Sequence, residues 1–146
     1  MSVRLLDVNA LIALMWPAHD AHSAVQEWFA KISPRGWATC PFTQAAFVRI
    51  VSNPAFSPDA VTPVEALNIL NSNLQMKGHH FWKDHIGYAE AVEPFRERLV
   101  GHRQVTDAYL LGLALRNKGR LATLDRAIVA LLNKEDEGHS VEIISG

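Results

Sequence analysis

The sequence predicts an α/β fold: a parallel sheet covered by helices on both faces, in one domain over residues 1–146. Three observations carry this. Strand-like and helix-like pieces alternate along the whole chain. The opening VRLL is a short run of buried-strand character rather than an amphipathic one. And 146 residues at 49% apolar content suffice for one sizeable core. Parallel strands need right-handed crossovers, so the expected topology is doubly wound. There is no internal repeat and no low-complexity segment.

The elements follow in order. Val3–Leu6 is a strand and NALIALMW a helix, with Asp7 at the junction. PAHDAHS is a loop. SAVQEWFAKI is an amphipathic helix with Val25, Trp28 and Phe29 on one face. GWATC is a strand and PFTQAAFVRIVS a helix with Thr43 as its N-cap. NPAFSPDAVTP is a Pro-rich connector, and PVEALNILNSNLQ a helix opened by proline. HHFWK is a further strand. HRQVTDAYLLGLALRNKG is the longest helix, closed by Gly119. RLATL is a strand, AIVALLN a short helix, EDEGH a solvated turn and SVEIIS the last strand.

Composition narrows the function. A net charge of −1 leaves no global basic footprint, so a nucleic-acid partner would be held by local patches or metal ions. The single cysteine, Cys40, excludes an internal disulfide and a thiolate zinc cluster, and suits a reducing cytosol. Asp7 and Asn9 interrupt the first apolar run, so neither a signal peptide nor a membrane span is expected, and the protein is read as cytoplasmic.

Three isolated acids then stand out. Asp7 and Asp125 each follow a strand, and Asp107 lies early in an apolar helix. Each could be a cap or a helix-dipole partner. In a doubly wound sheet all three can reach the carboxyl edge, where ligands bind. Clustered carboxylates repel one another unless one is protonated or a cation sits among them. Oxygen ligands suit Mg²⁺ or Mn²⁺, and such a site suits hydrolysis of a phosphodiester.

The segments LLDVNALIAL, TCPFTQAAFVRIV, VTDAYLLGLAL and LATLDRAI resemble, in order and spacing, the PIN-domain ribonucleases, and most closely the VapC toxins of bacterial toxin–antitoxin pairs. The resemblance runs from the first strand to about Ile128. It implies an α/β/α sandwich with a mostly parallel central sheet and a Mg²⁺- or Mn²⁺-dependent endoribonuclease. It also implies a homodimer and a small antitoxin that blocks the site. It places Asp7, Asp107 and Asp125 at the metal and catalytic positions, with Thr123 as a site hydroxyl. Asn9 would support Asp7, either toward the ion's hydration shell or by fixing the turn. The departure is Gln44, which stands where many members have Glu; an amide oxygen can ligate a hard cation, but without charge.

Other residues admit plainer readings. Arg49, Arg103 and Arg126 would contact RNA phosphates, or else be solvated or paired with the acids. His19, His22, His79 and His80 lack a convergent ligand set. Trp16, Trp28, Trp37 and Trp82 read as core or interface aromatics. Two other functions compete with the toxin-type nuclease. One is an aspartyl-nucleophile phosphatase, against which stands Asn9 in place of a second Asp. The other is a PIN-like binding module in which Gln44 marks weakened catalysis.

Overall fold

The computed structural model describes residues 2–145. Five strands form one sheet: β1 (Arg4–Leu6), β2 (Trp37–Thr39), β3 (His79–Phe81), β4 (Arg120–Thr123) and β5 (Val141–Ile143). Their order is β3-β2-β1-β4-β5, and every pairing is parallel. The chain winds outward from β1 to β3, then returns to the other side of β1 for β4 and β5. The reversal falls between β1 and β4, whose register pairs Leu5 with Leu121 and Leu6 with Ala122. A crevice opens at such a switch point, outside the carboxyl ends of the two strands.

Side chains of a strand alternate between faces, and the two faces hold two separate cores. Leu6, Trp37 and Ala122 pack with α1 (Val8–Met15), α2 (His22–Ile32), α3 (Pro41–Val51) and α4 (Pro63–Leu74). Leu5, Ala38 and Leu121 pack with α5 (Tyr88–Val92) and α6 (Val105–Arg116). The expected α/β sandwich is therefore present, and its sheet is wholly parallel.

Local chemistry sets the helix starts, and not always where the sequence suggests. Asp7 caps α1 by accepting from the Val8 N–H at 2.7 Å. Thr43 is not the N-cap of α3: the helix begins at Pro41, whose missing N–H costs nothing in the first turn. Thr43 lies two residues further in, and its hydroxyl reaches back to accept from the Cys40 N–H at 3.1 Å. At α4 the reciprocal pair is complete, since the Thr62 hydroxyl accepts from the Glu65 N–H while the Glu65 carboxylate accepts from the Thr62 N–H.

The late helix is shorter than expected. His102–Gln104 form a three-ten turn before α6 begins at Val105. At its end Lys118, not Gly119, takes the left-handed conformation, with φ +57°. Lys118 N–H bonds Leu115 C=O and Gly119 N–H bonds Ala114 C=O, the 5→2 and 6→1 bonds that satisfy a helix terminus. Gly119 is required for space instead: a Cβ there would lie 2.5 Å from the Val3 carbonyl oxygen. Where a short helix was expected over residues 127–133, the chain forms a three-ten segment, Arg126–Leu131. The end of the expected turn, with the first residue of the expected last strand, is instead a four-residue helix, α7 (Glu137–Ser140).

Two elements carry no clear sequence signal: α5 and the three-ten segment Glu93–Arg98. They exist because α6 offers a flat place to pack. At Gly112 a Cβ would fall 2.1 Å from the Ala91 carbonyl oxygen, so the α5 backbone lies directly on α6. Gly112→Ala should therefore force the helices apart and cost about 1–3 kcal/mol. Thermal denaturation should show a melting point lowered by roughly 2–10 °C; an unchanged midpoint would mean the two helices separate freely.

Candidate active site

The register of β1 and β4 builds the site. Asp7 follows Leu6, and Thr123 follows Ala122, so the two side chains meet across the switch point. Thr123 is fully buried and Asp7 nearly so. The Thr123 hydroxyl donates to Asp7 Oδ2 at 2.8 Å and accepts from the Asp125 N–H at 3.1 Å. Asn9 closes the junction: its Nδ2 donates to Thr123 Oγ1 at 3.1 Å, and its Oδ1 accepts from the Leu124 N–H at 3.1 Å. Of the two roles expected for Asn9, the geometry displays the turn-fixing one. Asp125 in turn accepts from the Ala127 N–H at 2.9 Å, which opens the three-ten segment.

Asp107 arrives from the other layer. α6 returns the chain from the β3 side toward the start of β4, so its first turn lies at the carboxyl edge. Asp107 sits in that turn, half-buried, with no hydrogen-bond partner among the described residues. Burial pushes its carboxyl up to about 6, and the charges of Asp7 and Asp125 push in the same direction. Asp7 is raised too, by burial first and by the Asp125 charge, against the hydrogen bonds from Thr123 and Val8. The three acids thus share one electrostatic neighbourhood, as the sequence suggested.

They do not close into a cage. Among the described residues, no three His, Cys, Asp or Glu side chains are gathered as a ready-made metal group. Mg²⁺ keeps several waters and takes only one or two carboxylates directly. An all-oxygen crevice with one free carboxylate and uncompensated negative charge fits such an ion, and offers nothing to a soft one.

Gln44 lies in the first turn of α3, half-buried. Its Nε2 donates to the buried Thr39 hydroxyl at 2.9 Å, and Thr39 Oγ1 stands 2.7 Å from His79 Nε2. Burial first, then the charge of His80, holds His79 below its ordinary value. The chain of contacts runs Gln44 to Thr39 to His79, and a ring uncharged and unprotonated at Nε2 would accept from Thr39. Thr39 and His79 escaped sequence reasoning as partners of Gln44. The only available signal was that a parallel neighbour of GWATC would bring HHF alongside it. Burial also raises the Cys40 thiol, so it is a packing group rather than a nucleophile.

The remaining candidates separate cleanly. Arg49, Arg103 and Arg126 are exposed, and among the described residues none forms an ion pair with the acids. His19 and His22 are tied to backbone groups of their own loop and of α1. Trp37 and Trp82 are core, while the Trp28 indole donates to Glu142.

A doubly wound, all-parallel sheet with three acids at its switch point defines a small class of proteins. The PIN domain family model matches residues 4–134, and the chain belongs to the PIN domain family. Among its relatives is a protein named Ribonuclease VapC39, from Mycobacterium tuberculosis, 44% identical over 124 residues that cover 85% of this chain and 89% of the relative. Ribonuclease VapC38 of the same organism is 43% identical over 127 residues, covering 87% and 88%. In fold the chain is similar to a structure described as VapBC2 from Rickettsia felis bound to a DNA fragment from their promoter. The TM-score is 0.67 at 12% identity, over 98% of this chain and 99% of that one.

The crowding of acids has a measurable consequence in the metal-free protein. Asp107 has a raised carboxyl in the fold and an ordinary one, near 3.8, when unfolded. The folded state therefore binds the proton more tightly, and ionised Asp107 costs stability above about pH 6. The cost shrinks as pH falls and vanishes below roughly pH 4. Because the group is half exposed, its scale is about 1 kcal/mol rather than the full shift. In chelator at pH 7.5, Asp107→Asn should raise the melting point by about 2–4 °C. That gain should disappear near pH 4; a gain independent of pH would show that charge is not its origin.

Proposed function

We propose that the protein is a metal-dependent endoribonuclease of the toxin type, neutralised in the cytoplasm by a small cognate antitoxin. The convergence of Asp7, Asp107 and Asp125 at the switch point carries this reading. Relatives named ribonucleases that match most of the chain supply the reaction class. A bound Mg²⁺ or Mn²⁺ would supply charge stabilisation at the phosphoryl oxygen and a more acidic water. Asp7 and Asp107 would hold it chiefly, with Asp125 reached directly or through solvent. Thr123 and Asn9 keep Asp7 fixed, and the unpaired Arg49, Arg103 and Arg126 would steer the RNA backbone.

Gln44 sets the size of the donor set. Its Nε2 is committed to Thr39, while Oε1 has no partner among the described residues and is available to a cation. Gln44→Glu should therefore tighten Mn²⁺ by on the order of tenfold in calorimetry. Equal affinities would return Gln44 to a structural role.

A protein partner needs an apolar face. On α4, Ala66 and Leu70 enter the core, while Val64 and Leu67 are 67% and 46% exposed. An antitoxin segment and a second copy of the chain both require such apolar surface. No helix among the described residues is long and apolar enough to cross a membrane. A monomer by sedimentation at micromolar concentration would remove the homodimer, and failed co-purification with the adjacent small protein would remove the antitoxin.

The decisive experiment is cleavage of labelled RNA with Mg²⁺, with Mn²⁺ and in chelator. Cleavage should require the ion, and Mn²⁺ should serve better than Mg²⁺. Asp7→Asn keeps an oxygen for the Val8 N–H, so the fold should survive while cleavage falls by roughly a hundredfold or more. Full activity in a folded Asp7→Asn protein would remove Asp7 from the reaction.

A further inference from the structure

At the first turn of α6, the turn that carries Asp107, lies a pocket of about 350 Å³ that the reaction as described does not use. Phe42 from α3 and Tyr88 from α5 line it, together with Val105, Thr106 and Tyr109 of α6. Thr106 is the residue before Asp107, so pocket and acids share the first turn of α6. Phe42, Tyr88 and Val105 are 42%, 41% and 43% exposed, which is unusual for side chains grouped around one cavity. Tyr88 is nonetheless fixed. Its hydroxyl donates to the Val105 carbonyl at 2.8 Å, and its ring stacks on Tyr109 at 6.1 Å between centroids. The Tyr109 hydroxyl is buried and has no hydrogen-bond partner among the described residues. Native structures seldom leave such a group unpaired. Asp84 is the one charged residue in the lining.

We infer that this pocket takes a base of the RNA strand next to the scissile phosphate, and that its preferred base is guanine. The inference rests on the ribonuclease reading above. Aromatic faces stack on any base, which explains rigid, exposed rings beside a phosphodiester site. The Asp84 side chain selects among bases, because a carboxylate accepts hydrogen bonds and donates none. Guanine presents two adjacent donors on one edge, N1–H and the N2 amino group, and a carboxylate can accept both. Adenine and cytosine present one amino group there, and uracil one imino. A lone acid also repels phosphate, so the strand would turn its base rather than its backbone toward Asp84. An apolar protein partner would use the same rings but would gain nothing from buried contact with Asp84.

The pocket can be tested apart from cleavage. GMP, AMP, CMP and UMP are titrated into the metal-free protein, with amide signals around Thr106 followed by NMR. GMP should bind most tightly. Asp84→Asn should weaken GMP by about tenfold or more and AMP by clearly less. Phe42→Ala, at an exposed ring, should weaken all four. Equal affinity for GMP and AMP, or an Asp84→Asn protein that binds GMP like the parent, overturns the guanine pocket even if the protein cleaves RNA. Selective GMP binding without RNA cleavage sustains the pocket and sinks the nuclease instead. Absence of nucleotide binding, with a dimer that Phe42→Ala dissociates, assigns the surface to a second copy of the chain and overturns the inference.

Discussion

The hydrogen bond from the Thr123 hydroxyl to Asp7 joins the two halves of a sheet that winds both ways from its centre. Everything at the site depends on it. It exists because β1 and β4 are neighbours in a fixed parallel register, so the residues leaving each strand must meet. A slip of one residue would turn Leu6 and Ala122 out of their core and carry Asp7 to the wrong face. The two hydrophobic cores therefore hold the register, and the register holds the acids. Thr123 is fully buried, and it meets its partners on three sides: Asp7, Asn9 and the Asp125 backbone. Removing its hydroxyl would strand a buried carboxylate and an amide together, which costs more than the loss of one bond.

The acids are not treated alike. Asp7 and Asp125 each receive a backbone N–H, and Asp7 also the Thr123 hydroxyl. These donors offset part of the cost of burying charge. Asp107 receives none, and its carboxyl is driven up to about 6. The fold thus leaves the electrostatic cost at the start of α6 without a donor to relieve it. A cation would relieve all three at once. Stability is given up where a ligand can restore it, a common relation between strained sites and function.

Much of this was legible in the sequence, for identifiable reasons. Strands buried on both faces and separated by helices leave few topologies open, and the carboxyl edge is where a doubly wound sheet gathers its strand-end residues. Asp7, Asp107 and Asp125 could be placed together on that argument alone. What stayed hidden was set by contacts distant in the chain. α5 carries only five residues, and it packs because Gly112 lacks a side chain, a fact that no periodicity around Tyr88 reveals. The left-handed residue after α6 could not be assigned between Lys118 and Gly119, since glycine is the ordinary choice and here its smallness serves the neighbouring Val3 carbonyl. Thr43 looked like a cap because the helix start was placed by residue preference, while Pro41 had already fixed it.

Gln44 shows how one substitution can be bound to its surroundings. The Thr39 hydroxyl has a single proton to give. With an amide at position 44, Thr39 accepts from Gln44 and gives that proton to His79, which must be neutral at Nε2 to receive it. Burial lowers the His79 pKa, which favours the uncharged ring that this direction needs. A carboxylate at position 44 would claim the Thr39 proton for itself. His79 would then face an acceptor, which the neutral Nε2–H tautomer satisfies by donating to Thr39. The amide at position 44 therefore bears on which way the Thr39 hydroxyl points, and with it on which His79 tautomer the β2–β3 edge holds.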